Sequence, residues 1–353
     1  MKLLIVTQVV DTRHPILGFF HGWIESFAKE VESVEVLCLE KGEYHFPANV
    51  TVHSLGKEVQ TQSTLVYVWR YVSLLWKLRK QYDAVYAHMN PEYVIAGFPI
   101  WFVLRKQIGM WYAHGTVSLR LRIATMMSQI IFTSTPHGFR LTTPKCKVVG
   151  QGIDTNLFSP VSEKTFDGTY HLVTVGRITA SKNLDTLLRC CNQLKEQGIP
   201  FRFSIVGGSI TKGEKAYEAL LRKQVEELGL TENVIFVGAV QQAELPKTLH
   251  KADIFIHDGR TGSLDKALLE AMSAGVPVFS SNDAYIGIVS KEGFDPTYPA
   301  GDFMALASVV TGYIALPQDQ QEKIIERNRK LIVEEHSLAT FVRKIVSQYT
   351  ITT

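Results

Sequence analysis

With 353 residues, 46% hydrophobic and 20% charged, the chain has the composition of a globular protein and exceeds what one hydrophobic core usually serves, so two domains are expected. A formal net charge of +3 makes no case for nucleic acid. Yet residues 61–150 hold eleven Lys/Arg, among them Arg70, Lys77, Arg79, Lys80, Arg105, Lys106, Arg120 and Arg122, against Asp83 and Glu92. Such a face is either solvated beside apolar helices or attractive to an anionic acceptor or membrane surface.

MKLLIVTQVV has the apolar run of a short signal peptide. Gln8 and Asp11 interrupt it and no small-residue cleavage site follows, so LLIVTQ reads as a first buried strand. GFFHGWIESFAKEV spaces Phe19, Trp23, Phe27 and Val31 as a helix does. VEVLCLE and VTVHSL are short strands, residues 64–81 a helix with a basic end, AVYAHM a strand, and EYVIAGFPIWFVLRK a helix with a break near Pro99. GMWYAH and IIFTS follow as strands, and KVVGQGID closes this half. DTNLFSPVSEKTFDGTY is polar and turn-rich and marks the domain boundary.

The pattern then restarts. YHLVTVGR, FRFSIVGG, VIFVG, DIFIH and VPVFSS alternate as strands with helices over NLDTLLRCCNQLKEQG, EKAYEALLRKQVEELG, 243–251 and the stretch ending in Ala-Gly at 274–275; three more helices fall near 302–315, 319–334 and 337–350. Continuous Val/Ile-rich strands between helices predict parallel sheets covered on both faces, hence two doubly wound α/β domains, with ligands outside the carboxyl ends of the strands. Cys38, Cys146, Cys190 and Cys191 lack metal-ligand spacing and read as reduced thiols of a cytoplasmic protein.

Several motifs fail. One glycine, Gly18, follows the first strand, which disfavours a nicotinamide or flavin fingerprint. GSITKGEK has P-loop glycine spacing but Glu214 where a lysine is required. No nucleophile elbow, HExxH or Asp-x-Asp pair is present.

Others converge on an anion. Arg177 follows a strand with Lys182 five residues on, an arrangement suited to a diphosphate or, alternatively, two surface cations. Gly207 and Gly208 stand where backbone approaches a ligand or simply turns, and Val237–Val240 could offer main-chain groups to a base. Glu270 lies opposite Leu264, Ala267, Leu268 and Ala271 on its helix, available either to accept both hydroxyls of a ribose or to pair with Lys266 at i,i+4. His257 and Asp258, just upstream, are strand-end residues with either polar or purely structural roles.

GRITASKNLDTLL, IVGG, FVGAV, LLEAMSAGVPV and EGFDPTYPAGD occur in the order and spacing of the retaining glycosyltransferases of family four, glycosyl transferases group one. LGFF, WYAHG at 111–115 and VVGQGIDTNLFSP extend the resemblance over essentially the whole chain. The resemblance implies the GT-B fold, an α/β architecture of two Rossmann-like domains facing across a cleft. Residues 1–160 would bind the acceptor, 168–335 the nucleotide sugar, and a helix in 336–353 would pack back on the first domain.

It further implies transfer of a sugar, with retention, from a nucleotide diphospho-sugar to an acceptor hydroxyl of a glycan, lipid-linked or small molecule, in polysaccharide or glycolipid synthesis. Arg177 and Lys182 would stabilise the departing diphosphate, His114 would lie near the reacting sugar, Glu270 would hold the ribose, and Gly18, Gly207 and Gly238 would bring backbone to the nucleotide. No cofactor or metal is implied, and the location is cytoplasmic, at the inner face of the membrane if the basic face touches lipid. The family usually carries a second Glu eight positions before Glu270. Here that residue is Gly262, and the Gly262-Ser263-Leu264 turn could supply backbone N–H groups instead. A sugar-nucleotide-binding scaffold and a nucleotide-sugar epimerase are the alternatives. A phosphorylase would need a longer chain.

Overall fold

The computed structural model describes residues 1–161, 166–259 and 264–349. In chain order its elements are β1 (Lys2–Val10), α1 (Phe20–Glu30), β2 (Ser33–Lys41), β3 (Val50–Ser54), α2 (Thr64–Lys77), β4 (Ala84–His88), α3 (Pro91–Val103), β5 (Gln107–Trp111), α4 (Leu119–Met127), β6 (Ile130–Thr133) and β7 (Cys146–Val148). There follow β8 (Tyr170–Val175), α5 (Leu184–Glu196), β9 (Phe201–Val206), α6 (Lys212–Glu227), β10 (Val234–Gly238), α7 (Leu245–Leu249), β11 (Ile254–His257), α8 (Lys266–Ser273), β12 (Val278–Ser280), α9 (Asp283–Ile286), α10 (Phe303–Ile314), α11 (Gln318–Leu331) and α12 (Leu338–Val346).

The chain divides into two compact units, Met1–Gly152 together with the segment from Ser337 onward, and Ile153–His336. The division falls earlier than the polar stretch 154–170 suggests. Ile153 N–H donates to the His336 carbonyl, and Phe158 is buried in the second unit, where its carbonyl accepts from Ser273 Oγ at 2.7 Å. Those anchors tie residues 153–160 to the second core.

The first unit is a parallel sheet ordered β3-β2-β1-β4-β5-β6-β7 among the described residues. One face buries Phe20, Trp23 and Phe27 of α1 with Phe341 and Ile345 of α12; the other buries Tyr71 and Leu75 of α2, Trp101 of α3 and Leu121 of α4. Apolar residues on both sides explain why β1 and β4 read as unbroken hydrophobic runs. The last helix is held by more than packing: Trp23 Nε1 donates to Gly152 O at 2.9 Å, closing the floor under Phe341, and Tyr349 Oη donates to Val85 O at 2.8 Å.

Two local expectations change. The helix over 91–103 runs through Pro99, which stands exposed, so water can take the carbonyl that loses its intrahelical donor. Helix α4, not anticipated from SLRLRIATMM, starts where Ser118 Oγ accepts from Leu121 N–H at 3.1 Å.

The second unit is a parallel sheet ordered β10-β9-β8-β11-β12. Leu187, Leu194, Leu221 and Val310 cover one face; Leu249, Leu268, Leu269 and Tyr285 cover the other. From β8 the chain winds outward through β9 to β10, then crosses back to β11 on the opposite side. The order therefore reverses between β8 and β11, the kind of position at whose strand carboxyl ends ligands bind in open α/β sheets.

Candidate functional site

The loops at that reversal carry the charged residues. Lys182 closes a short turn after β8, and its Nζ meets the Asp265 carboxylate at the start of α8. The Asp265 Oδ2 is also 3.2 Å from His257 Nε2 at the end of β11. Lys182 is largely buried; burial first, and the nearby Arg177 charge second, push its ammonium down to about 8, while the contacting carboxylate favours the charged form. Burial, then Lys182, holds His257 well below the usual imidazole range, so it is neutral at pH 7. Its Nδ1 is 2.9 Å from Ser280 Oγ. Arg177, more exposed, lies 3.4 Å from Glu214, a contact worth at most about 1 kcal/mol and exchangeable for another anion at little cost.

Glu214 does not head a phosphate loop. It completes a capping box with Thr211 at the start of α6, which accounts for GSITKGEK as a helix start.

Glu270 is 4% exposed, on the buried side of α8 rather than on a solvated face. Gln242, from the loop after β10, donates Nε2 to Glu270 Oε1 at 2.7 Å. Burial raises the Glu270 carboxyl above its usual range, opposed by Lys266 and by the Gln242 bond. Lys266 is in turn pushed down to about 8 by burial, against the pull of Glu270 and Asp154. A buried carboxylate that retains acceptor capacity beyond one amide donor is chemically suited to a pair of hydroxyls.

The glycines at the strand ends divide by role. A Cβ on Gly207 would fall 1.8 Å from Gly176 O, and Gly207 N–H donates to Gly238 O at 2.8 Å. The close approach that Gly207 permits is therefore to neighbouring backbone: it knots the exits of β8, β9 and β10. Gly176 leaves room for the Lys182 stem, which passes 3.4 Å from where a Cβ would be. Gly238, at φ 85°, faces open space.

Leu264 is buried beneath α8; Gly262 and Ser263 lie outside the described residues. Asp258 is fully buried, accepting from Gly301 N–H at 3.0 Å and from Ser281 Oγ, and so fastens two loops.

In the first unit, Gly18 N–H donates to His14 O at 2.9 Å, so this amide closes its own loop rather than pointing at a ligand. His114 is exposed just past β5, with Nδ1 accepting from Thr116 N–H at 3.1 Å.

Asp265, Gln242 and the burial of Lys266 escape the sequence reading. Asp265 did carry a signal, an Asp opening a helical pattern, but one that points to capping. Its side chain makes no cap bond to α8 and turns to Lys182 and His257 instead.

The description Glycosyl transferases group 1 matches residues 158–342, just over half the chain. The chain belongs to that family. Among curated relatives it is 29% identical over 210 residues, 58% of this chain and 50% of the other, to WcaL of Escherichia coli strain K12, provisionally assigned as a colanic acid biosynthesis glycosyltransferase. The chain spans about half the length of the curated relatives it matches. Two solved structures share its fold: HepE of Anabaena in complex with UDP and glucose, with TM-score 0.76, 18% identity and 99% of both chains covered, and sucrose-phosphate synthase of Thermosynechococcus elongatus, with TM-score 0.80, 15% identity and 99% and 98% covered. The fold is GT-B.

Proposed function

We propose that the protein is a retaining glycosyltransferase that moves a sugar from a nucleotide diphospho-sugar to an acceptor hydroxyl in glycan or polysaccharide synthesis. The observation that carries the reading is the pair of cations, Arg177 and Lys182, at the exit of β8 beside the strand reversal of the second unit. Family membership, the UDP and glucose bound to HepE, and the polysaccharide named for WcaL support it.

In this reading the bond from the anomeric carbon to the diphosphate breaks as the acceptor oxygen bonds to that carbon on the same face. The acceptor proton passes to the departing phosphate. Negative charge grows on the diphosphate, and Arg177 and Lys182 stabilise it there more than in the ground state. The two cations do the work a divalent ion does elsewhere, so turnover survives chelation. Glu270 accepts the ribose hydroxyls, and His114 orients sugar hydroxyls.

The test is thermal stabilisation of the wild type by UDP, GDP and ADP, followed by turnover of the matching sugar nucleotide with EDTA present. Stabilisation by one nucleotide and transfer or donor hydrolysis with EDTA supports the proposal. Binding without turnover favours the scaffold reading that Gly262 raises. No stabilisation by any nucleotide refutes the diphosphate site.

A further inference from the structure

The apolar arc of helix α2 is wider than a helix covering a sheet needs, and much of it is exposed. Tyr71 and Leu75 face the core. Leu65, Val68, Trp69, Val72 and Trp76 are exposed, Leu65 by 80%, Trp69 by 70% and Trp76 by 51%. At 3.6 residues per turn these five share an arc of roughly 100° and run about 16 Å along the helix. Helix α3 packs beside α2 in the same layer, and its end adds Phe102 and Val103, exposed by 69% and 73%.

Where the stripe ends the exposed charge is mainly positive. Lys77, Lys80 and Arg105 are exposed where α2 and α3 end, and the Arg79 guanidinium lies 4.7 Å from the Trp76 ring centroid. Two acids lie in residues 61–150: Asp83, exposed, accepts from the Lys2 N–H and acts on Lys106, and Glu92 pairs with Arg120 at 2.8 Å. Several cations of the basic region are also committed, Arg70 to Leu55 O and Lys145 to the last carbonyls of α4. The surface character therefore comes from the apolar stripe and the few cations at its end, and less from the bulk charge of the region.

We infer that the outer face of α2, with the end of α3, docks on an anionic lipid surface. Tryptophans rimmed by Lys and Arg on a convex helix suit the boundary between headgroups and acyl chains, where the ring is half apolar and half wet. A second copy of the chain would bring the same excess of cations to this face. The inference stands apart from the proposed reaction and does not need it.

The five tryptophans supply the readout, because Trp23, Trp101 and Trp111 are at most 2% exposed and only Trp69 and Trp76 are accessible. The protein is mixed with vesicles of phosphatidylcholine alone or of phosphatidylcholine with phosphatidylglycerol, and partition is followed by sedimentation and by the emission shift of tryptophan. The expected result is binding to the anionic vesicles at low salt, weakened about tenfold or more at about 0.5 M salt. Trp69→Ser with Trp76→Ser should lower partition about tenfold, and Lys77→Glu with Lys80→Glu should remove it, each with unchanged thermal melting because the residues are exposed. No binding to anionic vesicles at low salt, or binding indifferent to both pairs of substitutions, overturns the inference. So does a concentration-dependent dimer in the absence of lipid that the tryptophan substitutions dissolve, which would assign the face to a second copy.

Discussion

Replacing Gly207 with alanine should damage the second unit more than any exposed substitution in it. The residue has φ 146°, a conformation that costs an alanine about 1–3 kcal/mol. The new Cβ would also fall 1.8 Å from Gly176 O, a contact with backbone that only a shift of the β8 exit relieves. Overpacking of that kind adds about 1–3 kcal/mol, so the total is about 2–6 kcal/mol. For a unit of this size each kcal/mol moves the midpoint by about 2–4 °C, and a central loss of about 4 kcal/mol lowers it by about 8–16 °C. Calorimetry measures this directly. Gly238→Ala is the internal control: φ there is 85° with no atom within 4 Å of the new Cβ, so it loses only the left-handed penalty of about 1–2 kcal/mol. If Gly207→Ala costs no more than Gly238→Ala, the knot of strand ends is not what the glycine serves, and a direct contact with ligand backbone returns as its role.

Lys182→Ala should weaken binding of the nucleoside diphosphate by about 10- to 100-fold in titration calorimetry, the loss expected for a charge-assisted contact; a change within about twofold would remove Lys182 from the diphosphate site. Because the protonated lysine is the binding form and its pKa is pushed down to about 8, affinity should hold below that pH and decline above it. Asp265→Asn takes away the carboxylate that keeps this ammonium charged, so the decline should begin at lower pH; an unchanged profile would mean Asp265 acts only in packing. Glu270→Ala should weaken the ribonucleotide by about tenfold and leave the 2′,3′-dideoxynucleotide almost unaffected, since both hydroxyl contacts are already lost; equal losses for both would deny the ribose contact.

The elements were legible where their signal is local. Unbroken Val/Ile runs and helical spacing outline β1, β2, β8, β9, α1, α5 and α6 to within a few residues, because each of these segments is buried in the way its own sequence advertises. Helix α4 was hidden by alternating Leu and Arg in LRLRI, which imitates a strand, and its existence depends on the Ser118 cap and on packing against α3. The division at Gly152 was hidden because the polar segment after it is tied to the second core by the buried Ile153 and Phe158, which no periodic pattern marks. At the candidate site, Arg177, Lys182 and Glu270 stood out by spacing. Their partners did not, since Asp265 is 83 residues from Lys182 and Gln242 is 28 from Glu270. Pairings of that range follow from strand order and have no periodicity to betray them.

Those partners explain how the site can exist without its ligand. A lysine enclosed at a strand reversal would surrender its proton if burial acted alone. Asp265 opposes that loss at the expense of the helix it precedes, leaving α8 without the side-chain cap that an N-cap Asp is suited to make. Glu214 reaches Arg177 while still capping α6, which is why that pair is the longer and more exposed. A diphosphate, if the proposed function holds, would offer both cations a stronger set of acceptors than one carboxylate each. In the proposed reading, exchange at Lys182 would free Asp265, which already stands at the N-cap position of α8. The unused cap is thus a local rule broken at the point where the proposed chemistry needs a charge held ready, and binding of the anion is the event that would restore it.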